Sequence, residues 1–427
     1  MSSNPLHSTN RREFLHAAAG VALTGPVLAA TQAGHAAHAG PASSNPVEPL
    51  TPQSRTTYMP VVFPNSGTLP WTMEDGVKVF RLVCEPVRRE FAPGLVVNAW
   101  GYNGESPGPA IEAVEGDRVR FLVTNKLPIS TTIHWHGLFL PNGMDGIGGL
   151  TQPSIGPGQT FRYEYTLRQH GTFMYHPHFA EMLQMGMGMM GMFIVHPKTR
   201  ALRPVERDFG ILLNEWAVAP GAATPDATEM TNFNLFTFNG KVFPATAPLV
   251  VRLGQRVRIR IANLSMTNAH PIHLHGFSFK VTGTDGGAIP ESAQWPEVTV
   301  NVPSGATRDI EFLADAEGDW GLHCHKVHHL MNGMGHNLPI TLGLQTSDLD
   351  ARLGRLVPGL GPAEMVMGGE MMEMGRPQNT IGSTIQGPFG AVDAGGMFTV
   401  VKVRAGITDD ADPGWYKHPA GTVAGPV

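Results

Sequence analysis

Cysteine is nearly absent from this chain: 427 residues carry two, Cys84 and Cys324. Two thiols cannot build a disulfide framework, so the fold must rest on a packed core. Charge is also scarce, at 15 % of residues, while glycine (51) and proline (36) are plentiful. Such a composition argues against long charged helices and for short strands joined by many turns. The net charge is −5 and no basic stripe appears, which argues against a nucleic-acid partner. The apolar stretch from Ala17 to Ala30 is short and broken by glycine and proline, so no membrane span is expected in the mature chain.

Histidine is arranged with purpose. The run His323-Cys324-His325-Lys326-Val327-His328-His329 is followed by Met334. A thiolate, an imidazole and a thioether at these spacings suit a blue-copper electron-transfer centre. On an extended strand, residues i and i+2 share one face and i+1 takes the other. Cys324 is then free to bind one copper while His323 and His325 bind others behind it, joined by a short covalent path. Three further His-x-His pairs occur: His134-Trp135-His136, His176-Pro177-His178 and His273-Leu274-His275. The four pairs supply eight imidazoles, enough for three coppers. His270, Cys324, His329 and Met334 remain for a fourth. His328 abuts His329, but the spacing from Cys324 favours His329.

At Thr132-Ile133-His134-Trp135-His136-Gly137, Tyr175-His176-Pro177-His178, His270 to Gly276 and His323 to Met334, the chain resembles the multicopper oxidases. The flanks Trp100-Gly101-Tyr102-Asn103-Gly104 and Pro107-Gly108-Pro109 match as well, and the resemblance covers roughly residues 75 to 345. It implies an enzyme that takes electrons singly from a reductant and passes four of them to O2, giving water. It further implies a type 1 copper on His270, Cys324 and His329, with Met334 as weak axial ligand. His134 and His273 would hold a type 2 copper. His136, His176, His178, His275, His323 and His325 would hold a type 3 pair, making four coppers in all. Asp145 stands where the family places an acidic proton relay. Leu330 stands where many members have a glutamate for proton delivery, so that task would fall more heavily on Asp145 or on water.

The N-terminal segment 1–39 reads as a twin-arginine export signal. Arg11-Arg12 precede the apolar stretch, and Ala37-His38-Ala39 offers a cleavage site. A periplasmic or extracellular location follows. Beyond it lies an internal repeat. Tyr102-Asn103-Gly104 recurs as Phe238-Asn239-Gly240, and Glu115 to Arg120 recurs as Leu253 to Arg258. Each copy leads to a His-x-His-Gly motif and later to a second His-x-His. The expected fold is all-β: two cupredoxin-like Greek-key β-sandwiches over 60–200 and 204–345, linked by 197–204, with a Met/Gly-rich tail over 346–427. Aligning the halves sets Thr131, Pro177 and Met182 opposite His270, Cys324 and His329. The first domain therefore keeps its share of the three-copper cluster and lacks a type 1 site. Because a cluster needs a face from each kind of domain, the resemblance to two-domain members implies a homotrimer closed head to tail.

Methionine is concentrated at 182–192 and at Met365, Met367, Met371, Met372 and Met374. Thioethers favour Cu(I) but are also adaptable core filler. Packing is the expectation for the first group, and the second is open between collecting Cu(I), shielding the type 1 site and packing on a neighbouring chain. Met397 to Val403 reads as an edge strand, and Cys84, in the alternating run Val79 to Cys84, as a buried thiol. His7, His16, His35 and His38 fall in the signal; His170, His196, His336 and His418 have no partner at ligand spacing. Within the oxidase class, phenols or aromatic amines compete with Cu(I) or other metal ions as reductant. A copper nitrite reductase would carry its blue site in the first domain, and a non-catalytic periplasmic copper-binding protein would have lost ligands.

Overall fold

The structure is a computed structural model that describes residues 58–199, 204–219, 222–332, 386–392 and 394–426. The segment 1–39, Met334, His336 and the methionines of 365–374 lie outside the described residues. The first domain is built of two sheets. One runs Trp71–Glu74, Val77–Ala92, Arg118–Asn125 and Thr160–Thr166, with Leu95–Tyr102 folded back onto Val77–Ala92. The other runs Ile111–Val114, Gly191–His196, Gly171–His176 and His134–His136. Between them sits an apolar core that includes Phe80, Phe121, Trp135, Tyr175 and Phe193. Alternation explains the layering. Arg118–Asn125 points Val119, Phe121 and Val123 into this core and leaves the intervening residues more exposed.

The second domain repeats the plan. Arg207–Trp216 lies parallel to Arg256–Asn263, as Val77–Ala92 lies parallel to Arg118–Asn125. Arg256–Asn263 in turn pairs antiparallel with Thr307–Leu313. Even the repeated Asn-Gly turn is kept: Asn103 and Asn239 take φ of 51° and 50°, in the left-handed region that asparagine tolerates. Cys84 is buried in the first core, as expected, and burial pushes its thiol pKa well up.

One expectation is corrected. Phe398–Arg404 is not an edge strand. It lies inside the second sheet, parallel to Leu249–Arg252 on one side and antiparallel to Gly318–Cys324 on the other. It occupies the place that Gly191–His196 holds in the first domain, beside the strand that ends in the His-x-His. Its burial pattern shows why: Thr399 to Val403 are buried on both faces, as an internal strand requires and an edge strand does not. The second sandwich thus takes its closing strand from beyond residue 345.

The domains are joined by a buried polar network. Arg260 donates to both carboxylate oxygens of Asp208 at 2.9 Å and to Thr172 Oγ1 at 2.9 Å, and Thr172 donates to Asp309 at 2.7 Å. Thr172 belongs to Gly171–His176, so the strand carrying His176 is fixed to the second domain.

Candidate metal centre

The strand His270–Leu274 turns His270, Ile272 and Leu274 inward and His273 outward. It pairs with Gly318–Cys324 in the register Ile272↔Cys324 and His273↔His323. Pleating does the rest. Cys324 enters the core with His270, while His323 stands on the opposite face with His273 and His275. The helix Val327–Leu330 brings His329 back over the thiol, its ring stacked on Phe236 at 4.1 Å.

His270, Cys324 and His329 converge. Cys324 Sγ lies 3.7 Å from His270 Nδ1 and 3.5 Å from His329 Nδ1, and the two nitrogens are 3.0 Å apart. Three ligands held ~2.0–2.3 Å from one ion in a trigonal plane would stand roughly 3.5 Å apart. All three side chains are fully buried. Burial holds the His270 pKa down at about 3 and the His329 pKa lower still, and pushes the Cys324 thiol up to about 12. Both imidazoles are therefore neutral, with lone pairs directed at one dry point. Two nitrogens and one sulfur are the donor set of a type 1 copper, and the residues fit it.

Around this point the chain supplies supports that sequence spacing does not reveal. Ser265 Oγ sits 2.6 Å from His270 Nε2 and fixes that ring. The Met397 carbonyl accepts from the Cys324 backbone N–H at 3.1 Å, and the Met397 N–H donates to the His329 carbonyl at 2.9 Å. The internal strand from the chain's end is thus stitched to both ligand segments. Ser265 and Met397 carry no motif of their own and were missed; only the tertiary pairing identifies them.

The remaining eight histidines form two groups of four. In the first domain His134, His136 and His176 offer ligand atoms within 4.8 Å of one another. His136 Nδ1 is 3.2 Å from His176 Nε2, and His178 stands beside both His134 and His176. Burial holds the His176 pKa down at about 3 and lowers that of His136. His134 Nδ1 is 2.8 Å from the Asp145 carbonyl, and the Asp145 carboxylate approaches to 3.6 Å. Gly146 permits this contact: its φ is +91°, and a Cβ there would lie 1.8 Å from the Ile133 carbonyl oxygen. Glu181, absent from the sequence reading, brings a carboxylate to 3.5 Å from His176 and 3.7 Å from His178.

In the second domain His275 Nε2 is 3.0 Å from His323 Nε2, and the rings of His273 and His325 stand 5.6 Å apart. His273 Nδ1 is held by the Val298 carbonyl at 2.7 Å and Thr299 Oγ1 at 2.9 Å. Among the described residues no hydrogen bond or ring contact joins these four histidines to the four of the first domain. Of the other described histidines, His328 packs edge-on against His329 at 4.3 Å, and three are occupied elsewhere. His170 pairs with Glu115 at 3.0 Å, His196 with Glu112 at 2.9 Å, and His418 rests on Phe389 and Tyr416.

Two Greek-key sandwiches, a buried Cys-His-His point and two imidazole half-clusters define a copper redox protein of cupredoxin build. The comparisons agree. Multicopper oxidase family profiles match residues 84–200 and 219–342, and the chain belongs to the multicopper oxidase family, whose members are copper-dependent oxidoreductases that use O2. It is 30 % identical to the multicopper oxidase MmcO of Mycobacterium tuberculosis, over 48 % of this chain and 46 % of that protein. It is 34 % identical to Laccase-1 of Botryotinia fuckeliana, over 45 % of this chain and 36 % of that one. The blue copper oxidase from Nitrosomonas europaea superposes with a TM-score of 0.57 at 25 % identity, covering 76 % of this chain and 85 % of its own. The matches span less than half the length of these two curated relatives.

Proposed function

We propose that this chain is a laccase-like oxidase, coupling four one-electron oxidations of phenols or aromatic amines to reduction of O2 to water. The observation that carries the reading is Cys324: its side chain meets His270 and His329 on one face, while its peptide neighbours His323 and His325 stand among the imidazoles on the other. Copper, when bound, supplies the one-electron chemistry. His270, Cys324 and His329 would hold the type 1 ion, and the eight remaining histidines a type 2 ion and a type 3 pair. The protein's part is geometry. The strand pairing fixes the ligands, the apolar core keeps water from Cys324, and the His323-Cys324-His325 backbone is the covalent bridge between sites. Asp145 and Glu181 place carboxylates beside the first-domain imidazoles, and Asp145 keeps the role of proton relay.

The separation of the two half-clusters within one chain supports a homotrimer, with the first domain of one copy facing the second domain of the next. Export by a twin-arginine route to the periplasm or beyond is supported by the Arg11-Arg12 segment and suits a protein that leaves the cell folded. No helix among the described residues is long and apolar enough to cross a membrane.

The competing reading is a Cu(I) oxidase, favoured by the methionine-rich segments. Both are tested by O2 consumption of copper-loaded protein with a methoxyphenol and with Cu(I) side by side, Cys324→Ser serving as control. Faster phenol turnover, lost in the variant, supports the laccase reading; faster Cu(I) turnover overturns it. Phenol oxidation retained by Cys324→Ser would refute Cys324 as the electron acceptor. A copper content far below four per chain would favour a non-catalytic copper-binding protein.

A further inference from the structure

The buried Cys-His-His point has no edge that solvent reaches. His270, Cys324 and His329 are each 0 % exposed. The His329 ring turns Nδ1 to Cys324 Sγ and His270 Nδ1, at 3.5 and 3.0 Å. Its other nitrogen, Nε2, is buried and has no hydrogen-bond partner among the described residues. One face of the ring is covered by Phe236, stacked on it at 4.1 Å and itself 2 % exposed. An electron donor in solution therefore touches none of the three side chains, and its electron must cross a further group.

His328 stands in that position. It is exposed, and its ring meets His329 edge-on, the centroids 4.3 Å apart and the planes at 75°. The same ring meets Phe236 edge-on at 5.8 Å. The short helix Val327–Leu330 imposes this, because successive residues on a helix point ~100° apart, here one out and the next in. Val327, which precedes His328, is 68 % exposed. One residue earlier, Lys326 Nζ donates to Asn268 Oδ1 at 2.9 Å. Asn268 is tied in turn to Glu215, whose carboxylate accepts the Asn268 side-chain amide at 2.7 Å and the N–H groups of Thr267 and Asn268 at 2.8 and 3.1 Å. That carboxylate is spent on the loop. An exposed imidazole beside an exposed isopropyl group suits a planar aromatic ring, which stacks and buries apolar area. The ammonium of Lys326 repels a metal cation.

We propose that His328 is the docking residue for an aromatic reductant: the phenol ring seats against the exposed imidazole beside Val327, and its electron crosses the touching rings of His328 and His329 toward Cys324. The proposal rests on the laccase-like reading and adds the place and the residue. The phenol's O–H bond breaks. Its proton leaves to bulk water, its electron passes inward and ultimately to the O2 that the enzyme reduces, and a phenoxyl radical departs. His328 bridges the gap without itself being oxidised. Tunnelling weakens steeply with distance, and two rings in contact shorten the gap that a donor held off by the sealed His329 would face.

The test uses full-length, copper-loaded protein and has two arms. In the first the protein is fully reduced without oxygen and labelled with ¹³C at its histidine rings, so that 4-methoxyphenol binds without being consumed. The His328 ring resonance, assigned by its loss in His328→Ala, is expected to shift saturably as the phenol is added; no shift overturns the proposal. In the second, bleaching of the blue absorption of the oxidised protein is timed without oxygen, with 4-methoxyphenol and with hexacyanoferrate(II), which has no ring to seat. For His328→Ala the phenol rate is expected to fall roughly tenfold, the scale of a lost ring contact, and the hexacyanoferrate(II) rate far less. His328→Phe keeps a ring there and is expected to stay close to the native phenol rate. An unmoved blue band in both variants reports an intact fold and ligand set. If His328 only shields His329, His328→Ala will be bleached faster by the phenol; that result, an unchanged rate, or equal slowing with both reductants overturns the proposal. A native protein that the phenol does not bleach at all refutes the laccase-like reading itself, whereas native protein and variant bleached alike refute the docking residue alone.

Discussion

Ser265 and Cys324 show how single side chains set the chemistry of the buried site. The Ser265 hydroxyl is the one described partner of His270 Nε2. Ser265→Ala leaves a buried ring nitrogen unpaired, at a cost of roughly 1–3 kcal/mol. Outer partners of this kind typically change metal affinity by ~10–100-fold. We expect Ser265→Ala to fold, to bind copper at Cys324 more weakly within that range, and to show a displaced blue band. An unaltered spectrum and affinity would remove Ser265 from the site. Protons give a second prediction. With the Cys324 thiol pushed up to about 12 and His270 held at about 3, the empty site carries its proton on sulfur throughout the neutral range. Copper takes the thiolate and displaces that proton. Affinity therefore rises with pH, by ~tenfold per unit for one released proton. Blue absorbance titrated against a chelator of known pH dependence at about pH 6, 7 and 8 checks this; a flat affinity would mean that the thiol is already ionised.

Among the strands, Phe398–Arg404 matters most, because it is internal. Leaving it out strips Leu249–Arg252 and Gly318–Cys324 of their shared partner and unties Met397 from both Cys324 and His329. A chain stopped after residue 392 is therefore expected to lose the second domain's cooperative unfolding transition and its blue copper. Deleting residues 363–376, which removes no described strand, should leave both intact. Calorimetry and visible absorption separate the two outcomes. Sequence alternation showed that 397–403 forms a strand but could not show where it pairs. Its partners Leu249–Arg252 and Gly318–Cys324 lie far away in the chain, and pairing across such distance is set by the topology of the whole sandwich.

The assembled molecule poses the question of how the two half-clusters meet. His134, His136, His176 and His178 gather in the first domain, and His273, His275, His323 and His325 in the second, with no hydrogen bond or ring contact between the sets among the described residues. If neighbouring copies complete the cluster, two inactive variants will rescue each other. One carries His134→Ala and His136→Ala, the other His273→Ala and His275→Ala. Unfolded, mixed and refolded with copper, they should regain part of the O2 consumption that neither shows alone, because some interfaces pair two unaltered faces. Light scattering should give three chains per particle. A fully active monomer, or no rescue, would place the cluster within one chain.

The chemistry was legible in the linear chain because it depends on residue type at short spacing. Four His-x-His pairs, one enclosing a cysteine, fell on strands or at strand ends: His134–His136 is a strand, while His176, Leu274 and Cys324 close theirs, and a pleat turns neighbours apart whatever surrounds it. The duplication was legible for the same reason, its turns and strands repeating in order. What only the tertiary structure decided depends on contacts between distant segments. Such are the register that sets Cys324 beside Ile272, the Ser265 support of His270, and the closing strand from the chain's end. No local period encodes these, because burial and pairing of remote segments are settled jointly, by the packing of two sheets around a shared core.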